Sequence, residues 1–184
     1  MPEAPAPPTV RTSRLLLRLF QESDLPDVGF YTKPSVMRYI PRGAWTADEL
    51  AEKFSRMLVV TRERWRQYGY GMWAIVLGTP GQVIGHCGLQ NLPDADDVEL
   101  FYLLDEPNWN KGLASEAARA VLRFGFERTG LQRIVAIAMP ENVASLRVME
   151  KAGMRRVGEA THYGLHCIKY VATRDAGEGE EVRS

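Results

Sequence analysis

The chain has 184 residues, 45% of them hydrophobic, and equal numbers of basic and acidic side chains, so its formal net charge is zero. That suits one domain with a sizeable core, since domains commonly hold roughly 100 to 200 residues, and it leaves no electropositive stripe of the kind that nucleic acid phosphates require. No apolar run approaches the roughly 20 residues that cross a bilayer, and Cys87 and Cys167 are too few for a disulfide framework or a Cys-rich zinc site, so a reducing, cytoplasmic setting is expected.

Residues 1–10 begin rich in Pro and Ala and lack the charged start and apolar run of a secretory signal. They read as a flexible tail ahead of a single domain over residues 11–174, with residues 175–184 a disordered tail. Arg14 to Leu19 reads as a first strand, and Ser23 offers an N-cap for a short helix through Phe30. Thr46 and Glu49 form a capping-box pair. Leu50, Phe54, Met57, Leu58, Thr61 and Trp65 then recur at helical spacing up to a stop at Gly69. Met72 to Leu77 and Gln82 to Leu89 are split by Gly78-Thr79-Pro80-Gly81 and read as an antiparallel hairpin. After a loop over Asn91 to Asp97, Val98 to Leu104 is a nearly continuous apolar strand interrupted by Glu99. Leu113 to Thr129 reads as a helix closed by Gly130, with Ala117, Val121, Leu122, Gly125 and Phe126 toward a sheet and Glu116, Arg119, Arg123 and Glu127 toward water. Ile134 to Ala138 is the next strand and Asn142 to Ala152 a short helix stopped by Gly153. Arg155 to Ala160 and Cys167 to Thr173 read as a closing strand pair. The whole is one mixed α/β domain with an antiparallel front and a strand-helix-strand middle.

Two superficial motifs are set aside. Gly69-Tyr70-Gly71-Met72-Trp73-Ala74 has the spacing of a dinucleotide fingerprint but precedes a strand instead of joining a strand to a helix. His162, His166 and Cys167 fall in a hairpin around Gly164, where a spacing of four does not align side chains as it does on a helix, so no metal site is expected.

Trp109-Asn110-Lys111-Gly112-Leu113-Ala114-Ser115-Glu116-Ala117 joins the end of a buried strand to a helix start. The first turn of a helix leaves about four backbone N–H groups without partners and carries roughly half a positive charge, a ready anion site. Gly112 and Ala114 keep side chains out of the way, and Gly112 can take a positive φ; packing of small residues is the alternative reading. This segment resembles the cofactor loop of the GNAT acetyltransferase superfamily, whose pattern is Gln or Arg, two residues, Gly, one residue, then Gly or Ala. Trp109 stands in the first position, and Gly112 and Ala114 match. The resemblance continues through Arg14-Leu15, Ile84-Gly85-His86-Cys87-Gly88-Leu89, Arg133-Ile134, Pro140-Glu141-Asn142-Val143-Ala144-Ser145 and Glu150-Lys151-Ala152-Gly153-Met154. It covers roughly Thr12 to Thr173 and is nearest to the RimJ/RimL branch, named for enzymes that acetylate the N-terminal amine of ribosomal proteins.

The resemblance implies a mostly antiparallel central sheet with helices on both faces and a splayed parallel pair, Val98 to Leu104 and Ile134 to Ala138, holding acetyl-CoA. Phe101, Tyr102 and Leu103 then offer backbone to the pantetheine arm. Trp109, Asn110, Lys111, Gly112, Leu113, Ala114 and Ser115 hold the pyrophosphate, with Asn142 as a further contact or simply an N-cap. Glu99 is the candidate base that frees the amine, against an ordinary charged strand position, and backbone N–H groups near Phe101 or Tyr102 are candidates for the oxyanion. Many family members carry a Tyr as general acid where this chain has Met149, so Ser145 is the available donor, or else a hydroxyl satisfied by its own helix. Tyr39, Trp45, Trp73 and His86 are the candidate substrate residues, with core packing the alternative for each. Three functions follow: acetyl transfer to a protein or peptide α-amine; acetyl transfer to a small amine such as a polyamine, amino acid or antibiotic, for which Asp94 to Glu99 supplies acidity; and a non-catalytic acyl-CoA-binding module. A homodimer is a further possibility, since related enzymes are often dimers.

Overall fold

The computed structural model describes residues 7–78 and 81–174. Eight strands form one sheet in the order β1-β2-β3-β4-β5-β6-β8-β7, where β1 is Val10–Arg11, β2 Leu15–Arg18, β3 Met72–Leu77, β4 Gln82–Asn91, β5 Val98–Leu104, β6 Arg133–Ala138, β7 Arg155–His162 and β8 Leu165–Thr173. Every neighbouring pair is antiparallel except β5 and β6. Among the described residues three α-helices, α1 (Ala47–Tyr68), α2 (Leu113–Arg128) and α3 (Val143–Lys151), cover this sheet together with a 3-10 segment, Glu22–Thr32. The mixed α/β architecture expected from the sequence is therefore present, parallel pair included.

Local signals explain the helices. Thr46 caps α1 by accepting from the Glu49 N–H at 3.3 Å while the Glu49 carboxylate accepts from the Thr46 N–H at 2.9 Å, and Gly69 ends it at φ 72°. Phe54, Leu58, Thr61 and Trp65 are its buried stripe. Phe54 and Leu58 pack with the 3-10 segment on one apolar cluster, whereas Trp65 reaches a second cluster with residues of α2. Small residues let α2 lie close to the sheet: Ala117, Ala118, Val121 and Gly125 are buried along it.

Three expectations need correction. The first helix is 3-10, with Gln21 and not Ser23 at its cap; Pro26 removes an N–H inside it, and Asp24 accepts from the Gln21 N–H at 2.8 Å. The leading tail is shorter than expected, because Val10 pairs with Leu17 and the Pro8 carbonyl accepts from Trp73 Nε1 at 2.8 Å. Phe126 packs on the core as expected, with Phe124 buried more deeply, but Glu116 is not on a wet face, as described below. Residues 1–6 and 175–184 lie outside the described residues. Among those described, no helix is long and apolar enough to cross a membrane.

Trp73 is fully buried and meets Trp65 and Phe124 edge-on, with ring centroids 4.5 and 4.9 Å away. It is a core residue, not a substrate contact, because the strand's alternation turns it toward α2. Trp73→Ala should lower unfolding stability by about 3–5 kcal/mol, checked by urea denaturation.

Candidate active site

The parallel strands β5 and β6 share a single register pair among the described residues, Glu99 with Val135. Beyond it they part, and a cleft of about 490 Å³ opens between β5, the loop before α2 and the start of α3. Of the residues expected from the sequence, Tyr39, Tyr102, Leu103, Trp109, Asn110, Gly112, Leu113, Ala114, Ser115, Asn142 and Ser145 line this cleft. Phe101 and Lys111 do not. The Phe101 ring lies against His86, centroids 5.6 Å apart, and exposed Lys111 gives its carbonyl to Arg14 Nη1 at 2.9 Å.

The loop before α2 has an unusual backbone. Asn110 and Gly112 both sit at positive φ, 59° and 74°, and Gly112 is an N-cap without a side-chain hydrogen bond to the first turn. The opening N–H groups of α2 are therefore uncapped at the cleft wall, where the helix dipole is positive. A Cβ on Gly112 meets only the Arg14 Nη2 atom at 3.6 Å, so its left-handed backbone, not crowding, is what favours glycine. The Trp109 indole Nε1–H donates to the Leu104 carbonyl at 2.7 Å, tying the loop to the end of β5.

Glu116 anchors this loop from behind. Its Oε1 accepts from Thr12 Oγ1 at 2.6 Å, Ser13 Oγ at 2.9 Å and the Arg14 N–H at 2.9 Å, while Oε2 accepts from Arg14 Nε at 2.7 Å and Nη2 at 2.6 Å. Burial by itself raises its pKa, but these donors together outweigh burial and hold the carboxyl down at about 2. The segment ahead of β2 thus lies over the first turn of α2, and the Arg14 guanidinium bridges helix and loop.

On the opposite cleft wall, Asn142 Oδ1 accepts from the Ser145 N–H at 3.2 Å, so Asn142 does cap α3. Ser145 Oγ lies 2.8 Å from the Tyr102 hydroxyl, which also donates to the Ser145 carbonyl at 3.0 Å. Burial pushes the Tyr102 pKa up, with the Ser145 hydrogen bond opposing it, and keeps the phenol protonated. Met149 is 1% exposed, belongs to the core and does not line the cleft. The Tyr102 phenol was missed from sequence because the strand was read for its backbone.

Glu99 projects to the other face of β5 and is 6% exposed. Burial pushes its pKa up, against opposing hydrogen bonds from Gln90 and Tyr163. Gln90 Nε2 and the Tyr163 hydroxyl both donate to its Oε2, at 2.8 and 3.0 Å. Of the candidate substrate residues, Tyr39 lines the cleft and donates to the Glu141 carbonyl at 3.2 Å. Trp45 stacks on Tyr31, centroids 4.4 Å apart, outside the cleft lining. His86 Nδ1 meets the Tyr31 hydroxyl at 2.7 Å, and burial lowers its pKa to about 4, so it is neutral at pH 7.

Because the folded pKa of Glu116 is depressed, its stabilisation is fully present above the ordinary value of 4.5 and is lost as pH falls toward about 2. Glu116→Gln should destabilise the protein by about 2 kcal/mol at pH 7, and the difference from wild type should shrink as pH falls from 5 to roughly 2; melting temperatures across that range check both statements.

A GNAT acetyltransferase domain model matches residues 14–155. An uncharacterized N-acetyltransferase of Bacillus subtilis, YnaD, is 35% identical over 81% of this chain and 84% of its own. An FsC-acetyl coenzyme A-N(2)-transacetylase of Aspergillus fumigatus is 27% identical over 97% of this chain and 75% of its own. The crystal structure of a GNAT-family acetyltransferase from Bacillus anthracis superposes with a TM-score of 0.76 at 29% identity, covering 91% of this chain and 99% of that one. With a splayed parallel pair, an uncapped helix start behind a glycine loop and a family match over most of the domain, the chain belongs to the GNAT acetyltransferase family and is an acetyltransferase.

Proposed function

We propose that the protein transfers the acetyl group of acetyl-CoA to a primary amine, and that the acceptor is the α-amine of a protein or peptide. The observation that carries the donor assignment is the cleft itself, which is lined together by the uncapped first turn of α2, by β5 where it has left β6, and by the start of α3. The anion site fits the pyrophosphate, held by the backbone from Asn110 to Ser115 and steered by Lys111 and Arg14. The strand edge fits the pantetheine amides, which need backbone partners in register with β5. The acetyl coenzyme A in the name of the Aspergillus relative supports the same donor. Bound acetyl-CoA supplies an activated thioester carbonyl; the chain's own groups do the rest. Glu99 takes the proton of the ammonium, N–H groups of β5 near Phe101 and Tyr102 stabilise charge building on the carbonyl oxygen, and the Ser145 hydroxyl, backed by Tyr102, offers a proton to the departing sulfur.

The pKa of the acceptor supports an α-amine. Such amines titrate at about 7.7 to 8.0 and are partly neutral at physiological pH, whereas a lysine-like amine at about 10.4 is neutral in well under one part in a hundred. A carboxylate base is closer in pKa to the former. A small-molecule amine is the second reading, favoured by the name of the Aspergillus relative and by Asp94 near Glu99.

Calorimetric titration with acetyl-CoA should give micromolar binding, about 8 kcal/mol, and Gly112→Trp should abolish it; no heat with wild type rejects the donor assignment. A panel of N-terminal peptides and small amines, read by thiol release and intact mass, separates the two acceptor classes, and turnover confined to small amines rejects the first. With the preferred acceptor, Glu99 protonation should cut kcat/KM on the acid side, with an apparent pKa above the ordinary 4.5. Glu99→Gln should lower kcat at least about a hundredfold while leaving the acetyl-CoA Kd unchanged.

A further inference from the structure

We infer that Tyr163 is a positioning residue that clamps one oxygen of Glu99 and leaves the other free for the amine, an inference that rests on Glu99 acting as the base. The two hydrogen bonds that Glu99 receives converge on Oε2, from Gln90 Nε2 and from the Tyr163 hydroxyl. Its Oε1 accepts none from the described residues. The one fully enclosed side-chain polar atom without a partner among them is His162 Nε2, so Oε1 keeps an opening on its surroundings. A carboxylate held by one oxygen cannot swing, and its second oxygen presents lone pairs in a fixed direction.

The turn that carries Tyr163 is built against local preference. His162 pairs with Leu165, so Tyr163 and Gly164 form a two-residue hairpin turn, and both have positive φ, 55° and 73°. Such turns favour Asn, Asp or Gly in the first place, where a bulky aromatic is strained. The tip is nevertheless pinned: the Tyr163 N–H donates to Asp94 Oδ2 at 2.9 Å, and Asp94 Oδ1 lies 2.9 Å from His162 Nδ1. Three elements therefore meet over Glu99, namely the end of β4, the loop at Asp94 and the β7–β8 turn. The phenol at the tip is the group that reaches the carboxylate.

The charges around Glu99 set the direction of the test. Burial pushes Glu99 toward its neutral form and Asp94 adds to that, while the Gln90 and Tyr163 donors favour the ionised form. Tyr102 on β5 and Cys167 on β8 also feel its charge, and Arg64 of α1 acts on Tyr163 and donates to Gln90 at 3.2 Å. Loss of the phenol therefore raises the pKa of Glu99.

The test compares wild type, Tyr163→Phe, Tyr163→Asn and Glu99→Gln in the full chain, with the best acceptor from the amine panel. Asn suits the left-handed turn, so Tyr163→Asn should melt no lower than wild type and bind acetyl-CoA equally well. Both Tyr163 variants should nonetheless show the acid limb of kcat/KM moved up by about one pH unit, the size of one lost hydrogen bond to a carboxylate, with kcat several-fold lower. A wild-type rate and an unmoved acid limb in Tyr163→Asn would overturn the inference and make the residue a turn element only. Wild-type turnover in Glu99→Gln would instead reject Glu99 as the base, so the two failures are told apart.

Discussion

A single parallel contact between two strands governs this molecule. Parallel pairing of β5 and β6 holds at Glu99 and Val135 and then stops, so beyond it the facing edges of the two strands no longer pair with each other. Buried backbone groups must find partners, so a sheet that opens in its middle demands an extended polar occupant. Closure elsewhere makes the opening tolerable. β4 pairs along all of β5 and β8 along all of β6, so each half of the sheet is rigid up to the rim of the gap.

The gap alone does not make an anion site; the position of the α2 start does. That start is fixed by residues from the other end of the chain. Among the described residues, Thr12, Ser13 and Arg14 supply the donors to Glu116, which turns an acidic residue of the first turn into an anchor. The arrangement also keeps the negative carboxylate turned toward cationic and hydroxyl partners, so the positive helix end is left for a ligand.

How much of this was legible follows from the range of each signal. The capping box at Thr46 and Glu49, the stop at Gly69 and the glycine loop at Gly112 are written within a few residues, and each appears where the sequence put it. The partners of Glu116 lie about a hundred residues away in the chain, and helical spacing alone assigned that side chain to water. Trp73 was misassigned because alternation along β3 says that two faces exist but not which of them meets the cleft. Asp94 and His162 were each visible as residues, one as acidity and the other as a discarded metal ligand. Their pairing beneath Tyr163 depends on a tertiary contact 68 residues long, which no local pattern encodes.

Glu99 lies at the one place where the two halves of the sheet are joined. It therefore stands at a pivot. Any spreading of β5 and β6 displaces their far ends most and residues near this contact least, as the blades of scissors move about their pin. With Glu99 as the proposed base, spreading of the gap leaves the geometry of proton removal in place. On that proposal the rim of the cleft and the residues gathered around the pin can change independently of one another.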